Sequence, residues 1–136
     1  MSGEPGEELR QFLHDSVKTF EELEALLFLV RHPDQDFSAE AVTATLGATV
    51  GSIDEALEEL ARVGELVNMT RAGTVRVYRY APRDESIRRR VAELEAAYNE
   101  RRMTVVQMLS ANALERVRRA AMRRLADAFR IERGKK

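Results

Sequence analysis

Hydrophobic residues recur at helical spacing along most of this chain and switch to alternation only once. Leu9, Phe12, Leu13 and Val17 fall near helical spacing and predict a short helix over 7–17, after a disordered lead of residues 1–6. Thr19-Phe20-Glu21-Glu22 is a capping box in which Thr19 can cap the Glu22 amide and Glu22 can reach back. The helix it opens turns Leu23, Leu26, Leu27 and Val30 inward, until Pro33 disfavours helical geometry at His32. Ser38 caps the next helix, Phe37 and Val42 have the spacing of a hydrophobic staple, and Gly47 ends it. Thr49 is placed to cap a helix over 50–62 whose inward face is Ile53, Leu57 and Leu60, and Gly64 stops that helix. Two strands follow, 65–69 and 74–80, joined by Thr70-Arg71-Ala72-Gly73. The second is rich in β-branched and aromatic residues.

Pro82 closes this stretch, and from Asp84 to Lys135 the pattern is helical again. Ile87, Val91, Leu94 and Tyr98 repeat at intervals of four, three and four, a seam suited to packing on another helix. Ser110-Ala111-Asn112 predicts a break, with Asn112 and Glu115 as a second cap pairing. Beyond it, at about 100° per residue, Leu114, Val117, Ala121, Leu125 and Ala128 share one helix face, while Arg116, Arg119, Arg123 and Arg130 share the opposite one.

Composition narrows the function. The 136 residues include no cysteine, which excludes disulfides, thiolate metal sites and thiol catalysis. No apolar run approaches the roughly 20 residues that span a bilayer, and the acidic Met1–Glu8 stretch is no secretory signal, so a soluble cytoplasmic protein is expected. The net charge of −1 hides a polarity: residues 1–69 hold 15 acidic and 4 basic side chains, residues 70–136 hold 8 and 18. Such asymmetry suggests an anionic partner for the basic half, or two halves that face each other.

The order helix, helix, turn, helix, two-stranded wing is that of the winged helix-turn-helix superfamily. Leu46-Gly47-Ala48-Thr49-Val50-Gly51-Ser52-Ile53 through Leu60-Ala61-Arg62-Val63-Gly64-Glu65-Leu66-Val67 resembles the junction of turn, reading helix and wing in bacterial winged-helix transcriptional regulators. The resemblance covers about residues 19–82 and implies a mainly α fold with a small β-hairpin wing. It divides the chain into a lead and short helix (1–18), a winged helix-turn-helix domain (19–82) and a helical extension that dimerises (83–136). It also implies a homodimeric regulator that reads double-stranded DNA with the helix 50–62.

On that resemblance Thr49 and Ser52 lie at the groove. Arg71, Arg76 and Arg79 of the wing, with Arg83 just after it, are placed to track phosphates or enter a minor groove, or else to stand solvated or pair with the acidic helix 50–62. Ile87, Val91, Leu94, Tyr98, Leu114, Val117 and Leu125 are then the candidates for the dimer interface. Asp54, Glu55, Glu58 and Glu59 depart from the family pattern, which usually offers polar or basic residues at such places. A carboxylate can accept from cytosine N4, but four of them near phosphates repel. An alternative therefore stands beside DNA binding: a protein-interaction module that docks a partner through the acidic helix 50–62.

The arginine face of Arg116, Arg119, Arg123 and Arg130 has three candidate roles, phosphate binding, pairing with the acidic half of a partner subunit, or contact with an anionic membrane, beside the plainer reading of a solvated basic face over a dimer or core-packing stripe. The opposite face is mostly Leu, Val and Ala, which argues against the membrane. No catalytic constellation accompanies these features. His14 and His32 are the only histidines, Asp34-Gln35-Asp36 lacks the glycine and terminal Glu of a calcium loop, and no glycine-rich phosphate cradle is present. Neither enzyme activity nor a metal or other cofactor is expected.

Overall fold

The computed structural model of the chain describes residues 5–47 and 49–134, so most of the expected disordered lead lies outside the described residues. Helix α1 spans Pro5–Ser16, starting earlier than the apolar pattern suggests. A proline suits a first helical turn, where its missing N–H has no partner to lose. Helices α2 (Phe20–Arg31), α3 (Ala39–Leu46) and α4 (Val50–Val63) follow, then strands β1 (Val67–Ala72) and β2 (Val75–Tyr80), then α5 (Glu85–Glu100) and α6 (Arg102–Gly134).

Local chemistry accounts for the helix ends. Thr19 Oγ1 accepts from the Glu22 amide at 3.0 Å, and the Glu22 carboxylate reaches past the cap to accept from the Lys18 amide at 3.0 Å. Ser38 accepts from the Ala41 amide at 3.2 Å, and Asp84 starts α5 by accepting from the Ile87 amide at 2.9 Å. Gly47 and Gly64 stop α3 and α4 at φ 74° and 77°, a left-handed geometry that disfavours a side chain. Thr49 departs from its expected role. It occupies the N-cap of α4, but its hydroxyl pairs with Ser52 Oγ at 2.8 Å and caps no amide.

The wing is a two-stranded antiparallel hairpin with register Val67↔Tyr80 through Ala72↔Val75. Its turn is only Gly73-Thr74, with Gly73 at φ 67°, so the strands run closer to the tip than expected. Arg71 consequently lies within β1 and not in the turn, directly opposite Arg76. Phe37 adds one antiparallel bridge to β2 through mutual hydrogen bonds with Tyr78 at 2.9 and 2.8 Å.

Beneath the wing, Leu57 and Leu60 of α4, Leu26 and Leu29 of α2, Leu66 and Tyr78 pack into one core. That core continues through Leu13 and Val17 of α1 to Val91 and Leu94 of α5, then Val105 and Leu109 of α6. Two expectations for the C-terminal region are corrected here. The break falls at Arg101, whose amide bonds the Ala97 carbonyl, and α6 runs unbroken through Ser110-Ala111-Asn112. Asn112 is no cap: it is 1% exposed, accepts from Arg10 Nε at 3.2 Å and donates to the Arg10 carbonyl at 3.2 Å. A buried amide with both ends bonded holds α6 against α1, which explains why it sits inside a helix.

Candidate nucleic-acid interface

Helix α4 buries Ile53, Ala56, Leu57 and Leu60, and this fixes what it turns outward. Gly51, Glu55, Glu58 and Arg62, spaced four, three and four, form its exposed line. Alternation along the hairpin puts Met69, Arg71, Arg76 and Tyr78 on one face, and Met69, Arg76 and Tyr78 border α4 there. Between helix and hairpin lies an open cleft of about 330 Å³ whose walls include Glu58, Arg62, Asn68 and Arg76. Tyr78 is fully buried at its base, and its hydroxyl has no hydrogen-bond partner among the described residues. Burial raises the phenol's pKa, the neighbouring Arg76 guanidinium offsets part of that, and the carboxylates of Asp54 and Glu58 push it up further.

Of the four carboxylates that set α4 apart, Glu58 and Glu59 meet cations. Glu58 forms an ion pair with Arg76 of the wing. Glu59 takes two hydrogen bonds from Arg62, at 2.8 and 2.6 Å, with Lys18 Nζ at 3.5 Å. The hydrogen bond from Arg62 is the main cause that holds the Glu59 carboxyl down at about 2. Arg79 pairs with Asp36 at 3.0 Å, and Arg83 with Glu65 at 2.8 Å and Asp84 at 3.3 Å. Of the wing arginines only Arg71 has no acidic partner among the described residues, and it stands exposed beside Arg76. Asp54 and Glu55 likewise have no cationic partner there.

The fold therefore brings Arg76 to one cleft with the outward line of α4 and places Arg71 directly opposite it on the same hairpin face. Arg79 and Arg83 are drawn to Asp36 and Glu65 instead. Thr49 and Ser52 sit together at the start of α4, hydrogen-bonded to each other. Arg62 could have been found in the sequence, because Glu59 and Arg62 are three apart on one helix. Lys18, Asp36 and Glu65 could not, since only tertiary packing brings them to their partners.

The remaining candidates lie away from this cleft. Arg116 donates to the His14 carbonyl at 3.3 Å and Arg119 pairs with Glu115, while Arg123 and Arg130 are exposed. Val91, Leu94 and Tyr98 are at most 6% exposed and Ile87 is packed against the same core, so the seam expected to meet a second copy closes on this chain. Leu114, Val117 and Leu125 are at least half exposed and do face outward. Among the described residues no cluster of side chains is arranged to hold a metal ion, and no helix is long and apolar enough to cross a membrane.

No family model and no curated protein matches the chain. Solved structures do. The chain resembles a Methanosarcina mazei protein described as a possible transcriptional regulator, with TM-score 0.51 and 14% identity over 74% of this chain and 85% of that one. It also resembles a homodimeric winged helix-turn-helix DNA-binding domain from Mycobacterium bovis, a possible ArsR-family regulator, with TM-score 0.50, 22% identity, and coverage of 74% and 93%. A mutant of MepR from Staphylococcus aureus bound to an oligodeoxyribonucleotide matches with TM-score 0.51, 18% identity, and coverage of 90% and 88%. The fold is that of a winged helix-turn-helix with added helices at both ends.

Proposed function

We propose that the chain is a DNA-binding transcriptional regulator acting as a winged-helix homodimer, with residues 19–82 as the reading unit and 83–136 carrying the dimer contacts. The observation that carries this reading is the pair Arg71 and Arg76, directly opposite each other on the hairpin face beside α4. Like charges in that position destabilise a hairpin, and Glu58 offsets only Arg76. A phosphate backbone would neutralise both. Glu58 and Glu59 do not oppose this as strongly as their sequence implies, because each already holds a cation. A guanidinium can exchange a carboxylate for a phosphate oxygen with little loss, since both accept the same forked donor. Thr49 and Ser52 then face the groove, and the outward apolar side of α6 meets a second copy. The neighbours from Mycobacterium bovis and Staphylococcus aureus lend support as a homodimeric DNA-binding domain and a DNA-bound regulator.

A second reading is favoured by Asp54 and Glu55, which carry no compensating cation among the described residues. On that reading α4 docks a basic segment of another protein.

Fluorescence anisotropy with the upstream intergenic DNA and a scrambled duplex, over a salt series, separates the two. The regulator binds the native fragment preferentially, with affinity falling steeply as salt rises. Arg71→Glu with Arg76→Glu then lowers affinity by about tenfold or more and flattens the salt dependence by the lost phosphate contacts. Equal binding to both duplexes overturns a specific regulator. No binding to either at low salt moves the function to protein docking, where Asp54→Lys with Glu55→Lys abolishes partner capture.

A further inference from the structure

Among the described residues, the Tyr78 hydroxyl is the one fully buried polar side-chain atom without a hydrogen-bond partner. Leaving such a group unpaired is costly, and a phenylalanine would fill the same place without that penalty. The surroundings of the hydroxyl are not apolar. Tyr78 lies at the base of the cleft between α4 and the wing, on the hairpin face that carries Arg76 two residues earlier. The charged groups that act on it are Asp54 and Glu58, one turn apart on α4, and the Arg76 guanidinium. Of the two carboxylates only Glu58 lines the cleft with Tyr78. A donor and an acceptor thus share the cleft without bonding, and Glu58 accepts from Arg76 instead.

If Arg76 moves to a DNA phosphate, Glu58 loses its cation just as an anion arrives, and the two like charges repel. Arg62 is no substitute, because two of its nitrogens already bond Glu59 at 2.8 and 2.6 Å.

We infer that Tyr78 is a positioning residue for DNA binding: as Arg76 passes from Glu58 to a backbone phosphate, the Tyr78 hydroxyl donates to the Glu58 carboxylate and holds it inward, away from the DNA. The inference rests on the regulator reading above and adds the device by which an acidic reading helix accepts phosphates beside it. Burial keeps the phenol protonated, so it donates the bond and retains its proton. The penalty of an unpaired hydroxyl falls on the free protein alone, which tilts the exchange toward the complex.

Tyr78→Phe removes one oxygen. The free variant is expected to melt at or above the wild-type temperature, because the atom it loses bonds nothing. Its affinity for the upstream DNA fragment, read by anisotropy, is expected to fall about tenfold, and that loss is expected to vanish in a Glu58→Ala background. Unchanged affinity in Tyr78→Phe, or an equal loss in both backgrounds, overturns the exchange. A loss that vanishes with Asp54→Ala and not with Glu58→Ala overturns Glu58 as the acceptor. Thermal melts without DNA give a second readout. In Arg76→Ala the guanidinium is gone and Glu58 is free to take the hydroxyl, so Tyr78→Phe is expected to lower the melting temperature there, an effect that Glu58→Ala cancels. A Tyr78→Phe effect of the same sign with and without Arg76 overturns the exchange and leaves the regulator reading intact. A wild-type chain that binds neither duplex at low salt overturns that reading and, with it, the role given to Tyr78.

Discussion

The body of the molecule and the distal half of α6 treat their apolar side chains in opposite ways. Across the helices and hairpin, Leu13, Leu26, Leu57, Leu94 and their neighbours are fully covered by the chain itself. From residue 114 onward, Leu114, Val117, Met122, Leu125 and Phe129 are each 50% exposed or more. Both stretches have regular helical patterns, so the pattern alone does not say whether the covering surface belongs to the same molecule. Among the described residues no side chain beyond Asn112 is fully buried by the chain itself. The distal half keeps its helix through good intrinsic formers, the Glu115–Arg119 pair and continuity with the anchored half. An isolated helix is marginal in water, which is why an apolar stripe of this length calls for a partner.

The sharpest way to break this contrast is to remove one leucine from each region. Leu57→Ala opens a cavity in the core and is expected to cost about 2–5 kcal/mol in urea unfolding. Leu125→Ala, measured at a concentration where the protein sediments as a monomer, is expected to cost less than about 0.5 kcal/mol. At higher concentration the same substitution weakens self-association. Equal costs for the two in the monomer would mean that the distal helix packs on its own chain.

Asn112 marks the boundary between the regions. Asn112→Ala removes both of its bonds to Arg10 and leaves the Arg10 carbonyl without that donor, an expected loss of about 1–3 kcal/mol. Hydrogen exchange reads the consequence by position. Amides of α6 beyond 112 lose protection if this amide anchors the distal helix, while those of α4 keep theirs. Unchanged exchange beyond 112 would show that the apolar contacts of Val105 and Leu109 suffice.

The winged-helix portion was legible because its signals are local. Thr19 with Glu22, Ser38, Gly47 and Gly64 each act within a few residues, and the structure places helix ends at all of them. Asn112 misled because an asparagine followed three residues later by glutamate looks like a cap, whereas its partner is 102 residues away in α1. Ile87–Tyr98 misled in the same manner: a seam at intervals of four and three specifies that something covers it, not which chain does. The candidate site was half legible. The residues of α4 and the wing could be named, but the matching of Glu58 to Arg76 and Asp36 to Arg79 depends on tertiary geometry that no spacing encodes.

Two neighbouring carboxylates of the body should give the smallest effect, and they pull in opposite directions. Glu59 is held at about 2, so its contribution to stability is present above its ordinary value of 4.5 and is lost as the pH falls from there toward 2. Arg62 is well exposed, so solvent limits that contribution to under about 1 kcal/mol. Glu22 is buried and its pKa is raised mainly by desolvation, with Glu59 among the groups that raise it further. Its ionised form therefore opposes folding, a cost absent below 4.5 that sets in as the pH rises through the folded value. In thermal melts across this range, Glu59→Gln is expected to flatten the acid-side loss, and Glu22→Gln to raise stability slightly at neutral pH relative to acid. Glu22→Gln keeps an acceptor for the Lys18 amide, which separates the charge effect from loss of the cap. A Glu22→Gln variant that melts lower at every pH would mean that the hydrogen bonds to the ionised carboxylate outweigh its desolvation.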